Sequence, residues 1–208
     1  MYGGAVVRGL AAGVAVGLVG RWSGPTVAIL AAVSGVVFFD LLRRARNERD
    51  GGADRPHDRF GLAVEWVFFA MLCAAAWDNR SRYDWPSPGW FEALGLAVVG
   101  GGALLRQRAA QALGRQFTVR LSVLDDHQLV ASGPYRWVRH PNYAGLGLIA
   151  LGTAMMVGSA TAAAVGILLW LPAVLLHIRD EERTLHIRLG AAYAEYARRS
   201  WRLVPGVY

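Results

Sequence analysis

Hydrophobic and polar positions alternate along this chain in long blocks. Apolar runs occupy residues 5–20, 25–42, 60–77, 90–105, 142–157 and 161–178, separated by short segments that hold most of the charge. Runs of this length with few charges predict membrane-crossing helices. The first run is broken by Arg8 and reads as a weak span. Pro25 suits the start of the second. The runs at 142–157 and 161–178 are separated only by a Gly158-Ser159 break. Sixteen residues reach only about 24 Å as a helix, short of the ~30 Å hydrocarbon core. A tight helical hairpin packed into a bundle therefore fits this pair better than two independent spans.

From Arg179 the pattern changes to charged and helical. Ile178, Glu182, Leu185, Leu189, Tyr193 and Tyr196 fall on one helical face. Gly190 lies within this predicted helix and weakens it by about 1 kcal/mol relative to Ala. Between residues 117 and 130 apolar and polar positions alternate, with Asp125-Asp126 as a turn. The predicted architecture is all-α. It is a polytopic transmembrane helical bundle of five to six spans, with a C-terminal helical hairpin, a strap on the cytoplasmic side and a terminal helix. Residues 1–113 form its N-terminal transmembrane part and residues 114–208 a C-terminal functional region.

Charge sharpens this picture. The chain has 208 residues and a net charge of +7, and all 22 basic residues are Arg. Segments 43–59, 106–140 and 179–208 hold six Arg each, whereas 78–89 holds two and 158–160 none. By the positive-inside rule the three Arg-rich segments face the cytoplasm. Arginines placed beside apolar spans argue for membrane lipids as partners and against nucleic acid. The Lys-free, bacterium-like composition places the protein in a bacterial inner membrane. Cys73, the one cysteine, excludes an intrachain disulfide and reads as a small core residue. His57, His127, His140, His177 and His186 show no metal-ligand spacing, so no metal is expected.

The chemistry concentrates in Gly133-Pro134-Tyr135-Arg136-Trp137-Val138-Arg139-His140-Pro141-Asn142-Tyr143-Ala144-Gly145. Pro141 pushes His140 toward extended backbone and can itself open a helix, so the block reads as an extended strap ending at a helix start. Lipid anchoring accounts for Arg136, Trp137 and Arg139. It does not account for a histidine placed before proline. The second signal is Glu181-Glu182. Acidic residues suit a solvated helix start, yet Glu182 falls on the apolar stripe, where a carboxylate needs a partner. Arg139 and His140 lie on the same predicted side of the membrane.

This block, preceded by His127-Gln128-Leu129-Val130 and followed by an apolar hairpin, Glu181-Glu182 with Leu185, Leu189-Gly190, Tyr193, Tyr196 and a Val-Pro ending, resembles the signature of the isoprenylcysteine carboxyl methyltransferase family. The likeness covers roughly residues 114–206. It departs where several relatives have Phe-Gly before the tyrosines and this chain has Leu189-Gly190, and in a loop at 78–89 too short for a large recognition insert. The resemblance implies an integral membrane methyltransferase that uses S-adenosylmethionine and releases S-adenosylhomocysteine, with its site facing the cytoplasm. The acceptor would be lipophilic: an isoprenylcysteine-type carboxylate, a small thiol or a lipid. Carried over by motif, His127, Leu129, Val130, Gly133, Tyr135, His140, Pro141, Tyr143 and Glu181 line the cofactor pocket. Glu182, Arg139 and His140 stand at its reactive end. Rival readings are an NADPH-dependent membrane reductase of the sterol-reductase type and a non-catalytic membrane scaffold.

Overall fold

The computed structural model describes residues 67–68, 70–71, 73–75, 77, 89–114 and 129–207. The two apolar runs before residue 60, the loop at 78–89 except for its last residue, and most of the alternating segment at 117–130 lie outside the described residues. Among the described residues the elements are helical, and the sole pairing of extended backbone is an isolated parallel bridge between Val138 and Trp201. Three helices carry the structure: α1 (Gly89–Leu113), α2 (Pro141–Met156) and α3 (Ala160–Arg198). The described residues between 67 and 77 are also helical. There Val67, Met71 and Ala75, spaced four apart, are buried on one face. Cys73 projects from another face and is exposed, which corrects its reading as a core residue.

The chain divides into two compact units, one holding residues up to Ala97 together with Ala150–Leu171, the other Val98–Ile149 together with Pro172–Tyr208. In the first unit a Cβ on Gly95 of α1 would stand 2.8 Å from the carbonyl oxygen of Gly152 in α2. In the second, a Cβ on Gly102 would stand 2.6 Å from the carbonyl oxygen of Gly145, and one on Gly145 would stand 2.6 Å from that of Gly102. Within each unit the α1 and α2 backbones thus meet at paired glycines, a close approach that only small residues permit.

The hairpin is present with sharper bounds than the apolar runs suggest. α2 starts at Pro141, whose missing N–H costs nothing in a first turn. The His140 carbonyl accepts from the N–H groups of Tyr143 and Ala144 at 3.1 Å each, closing that turn. Gly158, at φ +61°, makes the corner. Ser159 then caps α3 by accepting from the Ala162 N–H at 2.9 Å.

α3 departs from the expected division into a span and a separate tail. It runs on past Arg179, because nothing in Arg179–Arg183 stops a helix and each of these residues has a good helical propensity or a solvated face. Among the described residues α3 is the one helix long and apolar enough to cross a membrane. Its apolar half, residues 160–178, carries that character; Leu168 and Leu176 are 71% and 63% exposed there, as side chains facing lipid would be.

A second correction concerns Gly190. At φ 53° and ψ −124° it is not helical, so the terminal helix is two segments meeting at a bend rather than one weakened helix. No atom lies within 4 Å of a Cβ built there, so backbone conformation alone selects glycine. Gly190→Ala should lower stability by about 1–2 kcal/mol. Chemical denaturation of the detergent-solubilised chain would check this, and a neutral or stabilising effect would show that the bend is not needed.

Candidate active site

The site lies in the second compact unit, where the strap meets the polar half of α3. Gly133 takes φ +58° and, with Pro134 following, opens a short 3-10 turn (Gly133–Arg136). Its local bonds run from Tyr135 N–H to the Ser132 carbonyl and from the Trp137 and Val138 N–H groups to the Pro134 carbonyl. The strap is therefore not extended throughout: a positive-φ glycine and a proline favour closing a turn first. Only after Trp137 does the backbone pair laterally. The Trp201 N–H donates to the Trp137 carbonyl at 2.9 Å, the Arg139 N–H to the Trp201 carbonyl at 2.8 Å, and the His140 N–H to the Arg202 carbonyl at 3.1 Å. Strap and C-terminal tail hold each other as a two-strand clip.

That clip fixes the side chains that carry charge. Glu182 is buried, as the helical wheel requires of its position beside Ile178 and Tyr193, both also buried. Its Oε1 accepts from Arg139 Nε at 2.8 Å and lies 3.3 Å from His140 Nε2. Its Oε2 lies 2.8 Å from Arg202 Nη2. Both carboxylate oxygens are thus engaged. Burial alone would raise its carboxyl, but hydrogen bonds from His140, Arg139 and Arg202 and the charge near it outweigh burial and hold it down at about 2. At neutral pH Glu182 is a carboxylate and can only accept, so His140 Nε2 carries its proton.

Arg139 does more than pair with Glu182. Its Nη1 donates to the carbonyl oxygens of Ala197, at 2.8 Å, and Ser200, where α3 ends. A cation at a helix C-terminus satisfies carbonyls that the helix leaves open. The Ser200 hydroxyl donates to the Tyr196 carbonyl, and the Tyr196 hydroxyl to the Tyr135 carbonyl at 2.7 Å. The turn, the clip and the helix end are thus locked together. Burial, with the neighbouring carboxylates, raises the phenols of Tyr135 and Tyr193, and burial pushes that of Tyr196 up to about 12. All three are neutral at physiological pH.

Beside this locked core lie buried acceptors and a hydroxyl without partners. His140 Nδ1 is 3.6 Å from Glu181 Oε2. Glu181 Oε2, Asn142 Oδ1 and the Tyr193 hydroxyl are buried without a hydrogen-bond partner. Buried polar groups are rarely left so unless a ligand or water completes them.

The sequence-derived residues divide in the structure. Arg139, His140, Glu181 and Glu182 come together; Tyr143 stacks on His140, with ring centroids 5.8 Å apart and planes at 17°. Pro141 is buried at the start of α2, and Tyr135 is buried in the turn. Leu129 and Val130 are half-buried in irregular backbone ahead of that turn. A Cβ on Gly133 would meet the side chain of Ala112 at 3.3 Å. His127 lies outside the described residues. Sequence reasoning missed Arg202, which belongs to a short tail with no helical period to mark it. It also missed His177, whose Nε2 shares a 3.0 Å hydrogen bond with the Tyr143 hydroxyl. A histidine closing an apolar run was the available signal for the latter.

Residues 93–187 match the model of the isoprenylcysteine carboxyl methyltransferase (ICMT) family. Protein-S-isoprenylcysteine O-methyltransferase B of Arabidopsis thaliana is 33% identical over 121 residues, covering 57% of this chain and 61% of that one. The probable protein-S-isoprenylcysteine O-methyltransferase of Oryza sativa subsp. indica is 35% identical over 114 residues, 53% and 59% of the respective chains. The chain thus spans about three-fifths of the length of these plant relatives. The solved structure of the eukaryotic intramembrane Ras methyltransferase ICMT superposes with a TM-score of 0.65 at 21% identity, covering 92% of this chain and 74% of that one. The chain shares the fold of that structure, and residues 93–187 are ICMT-like in sequence.

Proposed function

From this ICMT-like region we propose that the chain is a membrane methyltransferase that moves a methyl group from S-adenosylmethionine to a lipophilic acceptor. The acceptor class is an isoprenylcysteine-type carboxylate or a related thiol or lipid. The observation that carries the reading is a set of buried polar atoms without a hydrogen-bond partner, one of them, Glu181 Oε2, 3.6 Å from His140 Nδ1. Glu181 Oε2 and Asn142 Oδ1 are acceptors, and the Tyr193 hydroxyl can donate or accept. S-adenosylmethionine presents amino and ribose hydroxyl donors that suit them, so the residues fit the group. The named relatives are methyltransferases, and a nicotinamide-dependent reductase is not favoured.

S-adenosylmethionine supplies an electrophilic methyl carbon on a sulfonium. The chain's own residues hold and orient. His140, clamped by Glu182 and stacked by Tyr143, presents a fixed face. Glu181 accepts donor-side N–H or O–H groups. Glu182, already engaged on both oxygens, acts as an organiser of Arg139, His140 and Arg202 rather than as a base. A carboxylate acceptor would attack the methyl carbon as its bond to sulfur breaks, releasing S-adenosylhomocysteine and no proton, and a thiol would have to react as its thiolate. The charges of anion and sulfonium are then both lost, so a dry, buried setting assists the step, and alignment supplies much of the remainder. The Arg distribution supports a site on the cytoplasmic face of a membrane.

Membranes containing the chain, incubated with methyl-labelled donor and sorted into protein, lipid and volatile products, should give a labelled lipophilic product absent from control membranes. Label in no fraction would refute the reading. His140→Ala should lower donor binding at least tenfold while the protein still inserts, measured by thermal shift with S-adenosylhomocysteine. Unchanged binding would show that the pocket lies elsewhere.

A further inference from the structure

His177 closes the apolar half of α3, followed by fully buried Ile178 and then Arg179. One helical turn on, at i+4, stands Glu181, so His177 and Glu181 are neighbours on one face of α3. Opposite them the strap and the start of α2 present a matching pair. Tyr143 faces His177, sharing the 3.0 Å hydrogen bond and meeting its ring edge-on at 5.5 Å and 83°. His140 faces Glu181 at 3.6 Å. Tyr143 and His140 are themselves stacked. Two side chains one turn apart on α3 are thus registered against two stacked rings across the site.

We infer that His177 is a positioning residue for the methyl-donor pocket: by holding the Tyr143 hydroxyl it fixes the ring plane that supports His140 against Glu181. The inference rests on the methyltransferase reading and adds to it a residue outside the motif. Tyr143 sits in the first turn of α2, and the hydrogen bond at the far end of its phenol holds one rotamer about Cα–Cβ. The stacked imidazole inherits that restriction. The role is orientation, so a side chain that keeps the bond should keep the function, and one that keeps only the ring should not.

The test uses the full chain in lipid nanodiscs and calorimetric titration with S-adenosylhomocysteine, comparing wild type with His177→Phe, His177→Gln, Tyr143→Phe and the double Phe variant. His177→Phe and Tyr143→Phe should each weaken binding about tenfold, as the loss of one buried hydrogen bond would. The double variant should be no weaker than either single one, because both remove the same interaction. His177→Gln should bind within about threefold of wild type. Additive losses, wild-type binding by His177→Phe, or a His177→Gln as weak as His177→Phe would each overturn the inference. Should His177→Phe fail to insert, Tyr143→Phe binding as tightly as wild type overturns it, and a tenfold loss there with His177→Gln preserved sustains it. Wild-type protein that does not bind S-adenosylhomocysteine refutes the methyltransferase reading itself. Wild-type binding with an additive cycle refutes only the role of His177.

Discussion

Glu182→Leu should be the most damaging single substitution in the described part of the chain. It removes one buried carboxylate and leaves Arg139, His140 and Arg202 facing an apolar side chain. Breaking a buried ionic cluster from one side costs about 3–5 kcal/mol, because the remaining cations stay desolvated without their counter-charge. In thermal unfolding of the detergent-solubilised protein this corresponds to a fall on the order of 10 °C. Glu182→Gln keeps the shape and one acceptor and should lose less. The pH dependence has a definite sign. The carboxyl is held at about 2 against an ordinary value of 4.5. A depressed carboxyl contributes its stability in full above pH 4.5 and loses it as pH falls toward 2. The advantage of wild type over Glu182→Gln should therefore shrink across that window. A gap that widens on acidification would contradict the clamp.

The second large effect is expected at the crossing of α1 and α2. A side chain on Gly145 would meet the Gly102 carbonyl oxygen and the Arg106 side chain, each 2.6 Å from the new Cβ. Arg106 is itself buried, and the Gly102 oxygen belongs to backbone, so neither can simply swing aside. Gly145→Leu should force the helices apart, costing about 3 kcal/mol or more by overpacking. It should also weaken donor binding, because Gly145 lies half a turn beyond Tyr143 on α2. Gly101→Leu, on the same stretch of α1 with no atom within 4 Å of its Cβ, is the control and should not destabilise, gaining up to about 1 kcal/mol of helix propensity. Equal melting temperatures for the Gly145 and Gly101 variants would show that the crossing is looser than described.

Several features of this site were legible in residue order because their causes are local. Pro141 fixed the start of α2, and the 3.6-residue period put Glu182 on the buried stripe with Ile178, Tyr193 and Tyr196. A carboxylate on that stripe demanded a cation, and Arg139 and His140 were the ones at hand. What escaped depended on tertiary contacts. Arg179–Arg183 marks the end of an apolar run, and charge alone cannot say whether the helix ends with it. Gly190 is tolerated in a helix at modest cost, so nothing in the sequence separates a weakened turn from the bend at φ 53°. The strap was read as extended because proline favours that geometry in the residue before it. The turn at Gly133–Arg136 instead follows from Gly133 adopting positive φ, which glycine permits but does not dictate. Arg202 has a partner only because the tail pairs with the strap through Trp201.

The central claim is that the groups around His140 form a pocket for S-adenosylmethionine. The most direct measurement is calorimetric titration of the purified full chain with S-adenosylhomocysteine, alongside NADPH and a Glu181→Ala variant. Saturable binding of S-adenosylhomocysteine by wild type, weakened at least tenfold by Glu181→Ala, with no binding of NADPH, is the predicted result. Binding of NADPH in place of S-adenosylhomocysteine, or S-adenosylhomocysteine binding untouched by loss of Glu181, would contradict it.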